Sequence, residues 1–252
     1  MDLLESKSAG QSRHPWETAR FQFFYDLLKN AGTLHQPVDL LDVGAGDGWF
    51  SGELSRHLPK GSKVTCWDSG YDAHAALPEF SSPGIIMKSI STRPTDRYDV
   101  ILLLDVLEHV DTDESFLTEL VEKNLKRNGT VLISVPCWPG LFSSHDRFLK
   151  HVRRYTFAQA RQLMRKSHLS IGRQGGLFFS LLPLRFFQVV ADKLGLRKGV
   201  SHHLGNWRHG MAVTRLVGSA LSADARISAL FSDFGWSIPG LSWWALCQRQ
   251  PS

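Results

Sequence analysis

Short apolar runs alternate with amphipathic stretches along the first 175 residues. "ARFQFFYDLLKNAG" has helical periodicity and closes on Gly32. "VDLLDV" reads as a short buried strand, and "WFSGELSRHL" as the helix that follows it across a glycine-rich turn. "KVTCW" and "GIIM" predict a second and a third strand, and "YDVILLL", the most apolar run, predicts a strand at the centre of a sheet. "DTDESFLTELVEKNLKRNG" predicts a helix with acidic residues in its first turn, Lys123, Lys126 and Arg127 in its last, and Gly129 as its stop. Phe116, Leu117, Leu120 and Val121 make its buried stripe. "TVLISVP" predicts a fifth strand, and Thr156 with Gln159 a capping box for the next helix. Strand–helix alternation of this kind builds a parallel, doubly wound α/β sheet.

After about residue 175 the pattern changes. "GGLFFSLLPLRFFQVVADKLG" is densely apolar but interrupted by Pro183 and Arg185, too short and broken to cross a membrane. The polar "RKGVSHHLGNWRHG" follows, then a helical stretch, and "LSWWALCQR" predicts a closing strand. The division expected is one domain over residues 1–252, with a helical cap over 1–35 and an insertion or lid over 178–235. The Phe-rich run reads either as core or as an amphipathic cover that admits a lipid-like substrate. Neighbouring Arg185, Lys193, Arg197 and Lys198 suit anionic head groups.

Composition sharpens this only where it is uneven. A net charge of +5 conceals 13 Lys/Arg against 20 Asp/Glu in residues 1–144, and 16 against 4 in residues 145–252. The basic half suits an anionic partner or is a solvated face. Cys66, Cys137 and Cys247 are too far apart for metal spacing, which argues for a reducing compartment and against a disulfide framework or zinc site. No basic segment followed by an apolar run opens the chain, so no secretory signal is expected. A cytoplasmic location, with peripheral membrane contact through the insertion, fits these features.

The turn "LLDVGAGDGWF" carries the candidate chemistry. Gly44, Gly46 and Gly48 follow the first strand, but Trp49 stands where a dinucleotide fingerprint needs its third glycine. Asp47 puts a carboxylate where a pyrophosphate would meet the helix, so the turn suits a ligand without phosphate, a cationic one best. Asp68, 20 residues after Gly48 at the end of the second strand, is placed to accept both hydroxyls of a ribose. Asp42, inside an apolar strand, needs a partner: a ligand ammonium or nearby backbone N–H groups.

The segments "LLDVGAGDGWFSGEL", "VTCWDSG", "YDVILLLDVLEHV" and "LKRNGTVLISVP" resemble, in order and spacing, the class I S-adenosylmethionine-dependent methyltransferases over roughly residues 35–175. The resemblance implies a seven-stranded sheet whose last strand runs antiparallel between strands five and six. It implies S-adenosylmethionine as cofactor, with its methionine part at Gly44, Gly46 and Gly48, its ribose on Asp68, and Asp105 near the methionine end. Ser89 stands where many relatives bring an Asp to the adenine. A bacterial branch of the family carries D-x-x-x-x-H-x-R-R-Y after strand five, matched here by Asp146, His151, Arg153, Arg154 and Tyr155. "HPWETARFQ" resembles that branch's aromatic–Arg helix, which implies Trp16 and Arg20 near the cofactor.

A base is needed only if the acceptor must lose a proton. His109 in "DVLEHV" reads as a structural or cofactor-side residue or as that base. His145 and His151 are equal candidates, with Asp146 to orient one of them and Arg153 to clamp an acceptor anion. Alternatively, Asp146 and the arginines form ion pairs that hold the loop, with Tyr155 packed beneath. The reading favoured is O-methylation of a small or lipid-linked, anionic acceptor. Methylation of nucleic acid is the alternative enzyme, set second for lack of a nucleic-acid module. A non-catalytic cofactor-binding module and, last, a nicotinamide dehydrogenase remain.

Overall fold

A computed structural model describes residues 13–71, 83–194 and 210–250. Its strands are β1 (Asp39–Val43), β2 (Lys63–Trp67), β3 (Ile86–Ile90), β4 (Tyr98–Leu104), β5 (Leu125–Pro136), β6 (Leu169–Leu177) and β7 (Ser242–Arg249). Its helices are α1 (Pro15–Asn30), α2 (Trp49–Ser55), α3 (Asp113–Asn124), α4 (Ser144–Phe148), α5 (Phe157–Lys166), α6 (Leu182–Lys193) and α7 (Met211–Asp233). The strands form one sheet in the order β3-β2-β1-β4-β5-β7-β6, with β7 antiparallel to both its neighbours. The expected doubly wound sheet with a reversed last strand is therefore present, and β4 lies at its centre.

Period-two alternation divides the core. Leu40, Val64, Leu102 and Trp244 face one layer with Phe23, Phe24 and Leu28 of α1, Leu54 of α2 and Leu221 of α7. Leu41, Ile101, Leu103 and Trp243 face the other, with Leu117 and Leu120 of α3 and Met164 of α5. Strands covered on both faces read as continuous apolar runs, which is why β4 stood out in the sequence. α1 begins at Pro15, with a reciprocal capping box between His14 and Glu17. The expected box at Thr156 and Gln159 also forms.

Three expectations change. The third helix ends at Asn124, not Gly129, and Lys126 and Arg127 belong to β5. Leu125 is fully buried, and Lys126 reaches both Asp39 and Asp99, at 2.9 and 2.8 Å. These contacts outweigh the helical charge pattern, and the register against β4 jumps from Tyr98↔Leu125 to Val100↔Thr130 to absorb the turn. Second, β6 arises from "LSIGRQGGL", whose polar, glycine-rich pattern gives no strand signal. Gly175 and Gly176 leave no room for a side chain: a Cβ on Gly176 would lie 2.4 Å from the Ile238 carbonyl oxygen. Third, α6 turns Arg185 and Val189 inward, while Leu184, Phe186 and Phe187 face out. Arg185 is thus not on the exposed face as a head-group contact. Arg197 and Lys198 lie outside the described residues. Among the described residues, no helix is long and apolar enough to cross a membrane.

Candidate active site

The glycine turn leaves β1 with left-handed backbone at Gly44, Gly46 and Gly48 (φ 65°, 55° and 68°). At Gly44 a side chain has no room either, since a Cβ would stand 2.8 Å from Cγ2 of Val106. Asp68, at the end of β2, accepts from the Gly46 N–H through Oδ2 and from the Gly70 N–H through Oδ1, both at 2.9 Å. Those amides orient its carboxylate and leave lone pairs for further donors. Ser89 is exposed on the edge strand β3, in register with Cys66.

Asp42 is met by a side-chain hydroxyl rather than by backbone N–H groups. Its Oδ2 accepts from the Ser51 hydroxyl of α2 at 2.8 Å, and burial pushes its pKa up to about 6. Asp47 is compensated by Arg13, 2.6 Å away, which also lies over the Trp49 ring. The repulsion expected of Asp47 toward an anion is therefore largely cancelled, although the set of carboxylates around the turn still offers no site for a pyrophosphate.

Asp105 follows β4 with a positive φ of 60°. Its carboxylate meets Arg20 at 2.7 Å and accepts from the Ser134 hydroxyl at 3.0 Å, while Arg20 also donates to Ser134. Trp16 lies beside the same guanidinium. The aromatic–Arg helix thus reaches the carboxyl ends of β4 and β5, the edge at which ligands bind in open α/β sheets.

The stretch after β5 is organised by Asp146, which is fully buried. Its Oδ1 takes His151 Nδ1 at 3.0 Å and Arg154 Nε at 2.7 Å. Its Oδ2 takes the N–H and hydroxyl of Ser143, at 2.9 and 3.0 Å, and Arg185 at 3.3 Å. Burial opposes the charge, but the His151 hydrogen bond and the Arg154 guanidinium outweigh it and hold the carboxyl well below the usual carboxylate range. Arg153 is not part of this cluster: it pairs with Asp113 at 2.9 Å and donates to the Asp111 carbonyl. Tyr155 packs beneath, donating to Asp113 and the Leu107 carbonyl. His145 sits on α4, its pKa lowered by burial and by Arg185.

Sequence reasoning passed over Glu108. This residue is fully buried, and neither of its carboxylate oxygens meets a hydrogen-bond partner among the described residues. Burial and the like charge of Asp105 hold its carboxyl well above the usual range. His109 and His151 stand against it, their rings edge to face at 4.7 Å. The signal available in the sequence was an acid flanking a histidine directly after a central strand.

Strand order, reversed β7, glycine turn and carboxylates at the ends of β2 and β4 together define the class I methyltransferase fold. The chain belongs to the methyltransferase-domain family, whose model matches residues 16–198. It is 28% identical over 156 residues to an uncharacterized methyltransferase of Mycobacterium tuberculosis (strain ATCC 25618 / H37Rv), a stretch that is 56% of each chain. The chain thus spans about half the length of the curated relatives it matches. A ubiquinone biosynthesis O-methyltransferase of Rickettsia conorii is 32% identical over 100 residues, covering 38% of this chain and 34% of that one. Among solved structures, the plantazolicin methyltransferase in complex with S-adenosylhomocysteine superposes with a TM-score of 0.53 at 16% identity, over 94% of this chain and 85% of that one. A cyclopropane synthase of Mycobacterium tuberculosis does so at 0.52 and 14%, over 90% and 84%.

Proposed function

We propose that the chain transfers a methyl group from S-adenosylmethionine to a hydroxyl of a small or lipid-linked acceptor. The observation that carries the reading is the acidic set around the glycine turn: Asp68 oriented by two turn amides, with Asp42 and Asp105 at the ends of the neighbouring strands. Such a donor set fits a ribose and a cationic amino acid part, and it does not fit a pyrophosphate. Asp68 would hold the ribose hydroxyls, Ser89 the adenine, and Asp105 with the backbone at Gly44, Gly46 and Gly48 the methionine part. Asp42 would lend negative charge from beneath the turn.

When bound, S-adenosylmethionine supplies a methyl carbon made electrophilic by its sulfonium. The chain's own work is to hold the acceptor oxygen behind that carbon, exclude water and see to the hydroxyl proton. We assign the proton to His151. Because Asp146 is acceptor-only when ionised, it fixes the proton of the imidazole on Nδ1 and leaves the electron pair on Nε2. His145, kept neutral by its surroundings, lies in the same stretch as a second candidate. Arg153 remains a candidate anion contact only if it leaves Asp113.

An oxygen acceptor is favoured by this oriented histidine and by the O-methyltransferase relative in Rickettsia conorii. Within the segment 178–235, α7 packs in the core layer beside α1, while α6 is assigned as the cover over the acceptor. Leu184, Phe186 and Phe187 give it an exposed apolar face suited to an acceptor's apolar part or a lipid surface. The D-x-x-x-x-H-x-R-R-Y stretch is read as the acceptor side. The test has two arms, calorimetry with S-adenosylhomocysteine and transfer of label from S-adenosylmethionine into fractionated cell extract. His151→Asn should keep the affinity and lose turnover by on the order of 10²-fold. Label entering the nucleic-acid fraction alone, or a His151→Asn enzyme that turns over normally, defeats the reading.

A further inference from the structure

Glu108, His109 and His151 are brought together by two separate segments, the turn after β4 and the stretch after β5, with one ligating atom of each within 4.8 Å of the others. The Val152 N–H donates to the Glu108 carbonyl at 2.8 Å, so the two segments are fastened at this point. The charges nearby are otherwise matched: Asp105 has Arg20, and Asp146 has Arg154 and Arg185. Among the described residues Glu108 has no such partner, although it is the most enclosed of the three. Protonation alone does not resolve this, because a neutral carboxyl brings an O–H that also needs an acceptor, and neither oxygen has a partner.

The geometry points to a site for one divalent transition-metal ion, held by Glu108, His109 and His151 and open to an oxygen of the methyl acceptor. Two imidazoles and one carboxylate are the donor set of catalytic zinc sites and of related first-row ions, and imidazole disfavours magnesium and calcium. The support behind His151 is also of the kind such sites use: Nδ1 bonded to a buried carboxylate, Nε2 left for the ion. The cation would neutralise Glu108 beside Asp105. It would also change how His151 acts on the acceptor. A hydroxyl bound to the ion ionises more readily and passes its proton to water, and its oxygen is then ready to attack the methyl carbon. This deepens the methyl-transfer reading and rests on it for the identity of the fourth ligand, but the ion site itself does not.

Cys66, Cys137 and Cys247 are buried, with pKa values pushed up by burial, and none belongs to this cluster. The test uses the untagged full chain, stripped with chelator and titrated with Zn²⁺ by calorimetry and with Co²⁺ by visible absorption. One ion per chain is expected, with a cobalt spectrum free of thiolate charge-transfer bands. Glu108→Gln and His109→Ala should each weaken zinc at least tenfold, and near-UV dichroism should establish which variants stay folded. Stoichiometric zinc whose affinity is unchanged in a folded variant, thiolate bands, or no binding by wild type overturns the site. S-adenosylhomocysteine calorimetry on the stripped protein separates the two readings. If that ligand binds and zinc does not, only the ion site falls. If zinc binds and that ligand does not, methyl transfer falls and the site stands.

Discussion

Two buried aspartates, one in β1 and one after β5, are shifted in opposite directions. Asp42, under the glycine turn, has one hydroxyl partner, and burial wins, raising its pKa to about 6. Asp146, after β5, is buried as well, yet it stays ionised because a histidine and two arginines converge on it. Burial alone therefore does not decide the charge of a carboxyl; the number of donors the fold brings to it does. The glycine turn is shaped by backbone, above a carboxyl whose charge is lost as pH falls through about 6. The stretch after β5 is shaped by side-chain charge, and its geometry depends on that charge remaining paired.

The largest test of this contrast is Asp146→Ala. Leaving Arg154, Arg185 and His151 around an empty position should cost about 3–5 kcal/mol, the usual penalty for breaking a buried ion cluster. Chemical denaturation measures it, and a loss within 1 kcal/mol, roughly the worth of an exposed pair, would erase the contrast. Next comes pH. A raised folded-state pKa means that the contribution of Asp42 is fully present below about pH 4 and lost as pH rises through about 6, a swing of about 3 kcal/mol at 1.36 kcal/mol per unit. Asp42→Asn should remove it, so wild type should lose stability relative to the variant between pH 4 and 7. A flat difference would mean that the turn also rests on an ionised carboxylate.

Asp68→Ala should weaken S-adenosylhomocysteine by about 1.5–3 kcal/mol, the value of hydrogen bonds to a charged acceptor. Since Asp68 also holds the Gly46 amide, part of that loss should appear as a slower on-rate; unchanged affinity would remove it from the site. The smallest effect expected is that of Gly44→Ala, about 1–2 kcal/mol of stability for a side chain in left-handed backbone. Adding Val106→Ala should recover the part due to the 2.8 Å approach, and the double mutant separates steric from torsional cost.

The same contrast explains what could be read in the sequence. Gly44, Gly46, Gly48 and Asp68 stood out because a backbone turn is specified by spacing along one short segment. The Thr156–Gln159 box and the central strand were legible for the same local reason. Asp146 and His151 were legible as candidates, but their pairing was not, because His145 offers the same chemistry one residue away. Glu108 was overlooked since its isolation exists only once the two segments meet. Arg185 was assigned to the surface because its apolar neighbours concealed a buried ion pair reaching back to the loop after β5. β6 was missed because Gly175 and Gly176 answer to close neighbours at Ser228 and Ile238 rather than to strand propensity.

The place of β7 has a consequence for how the molecule is assembled. β6 sits at the end of the sheet and, among the described residues, β7 is its one neighbour, so its pairing waits until that later strand has inserted beside β5. Contacts of that sequence separation form slowly, and during synthesis β5 presents an unpaired edge for as long as residues 137–241 take to be made. A nascent chain halted before Ser242 would carry that apolar edge exposed, with Trp243 and Trp244 not yet available to cover it.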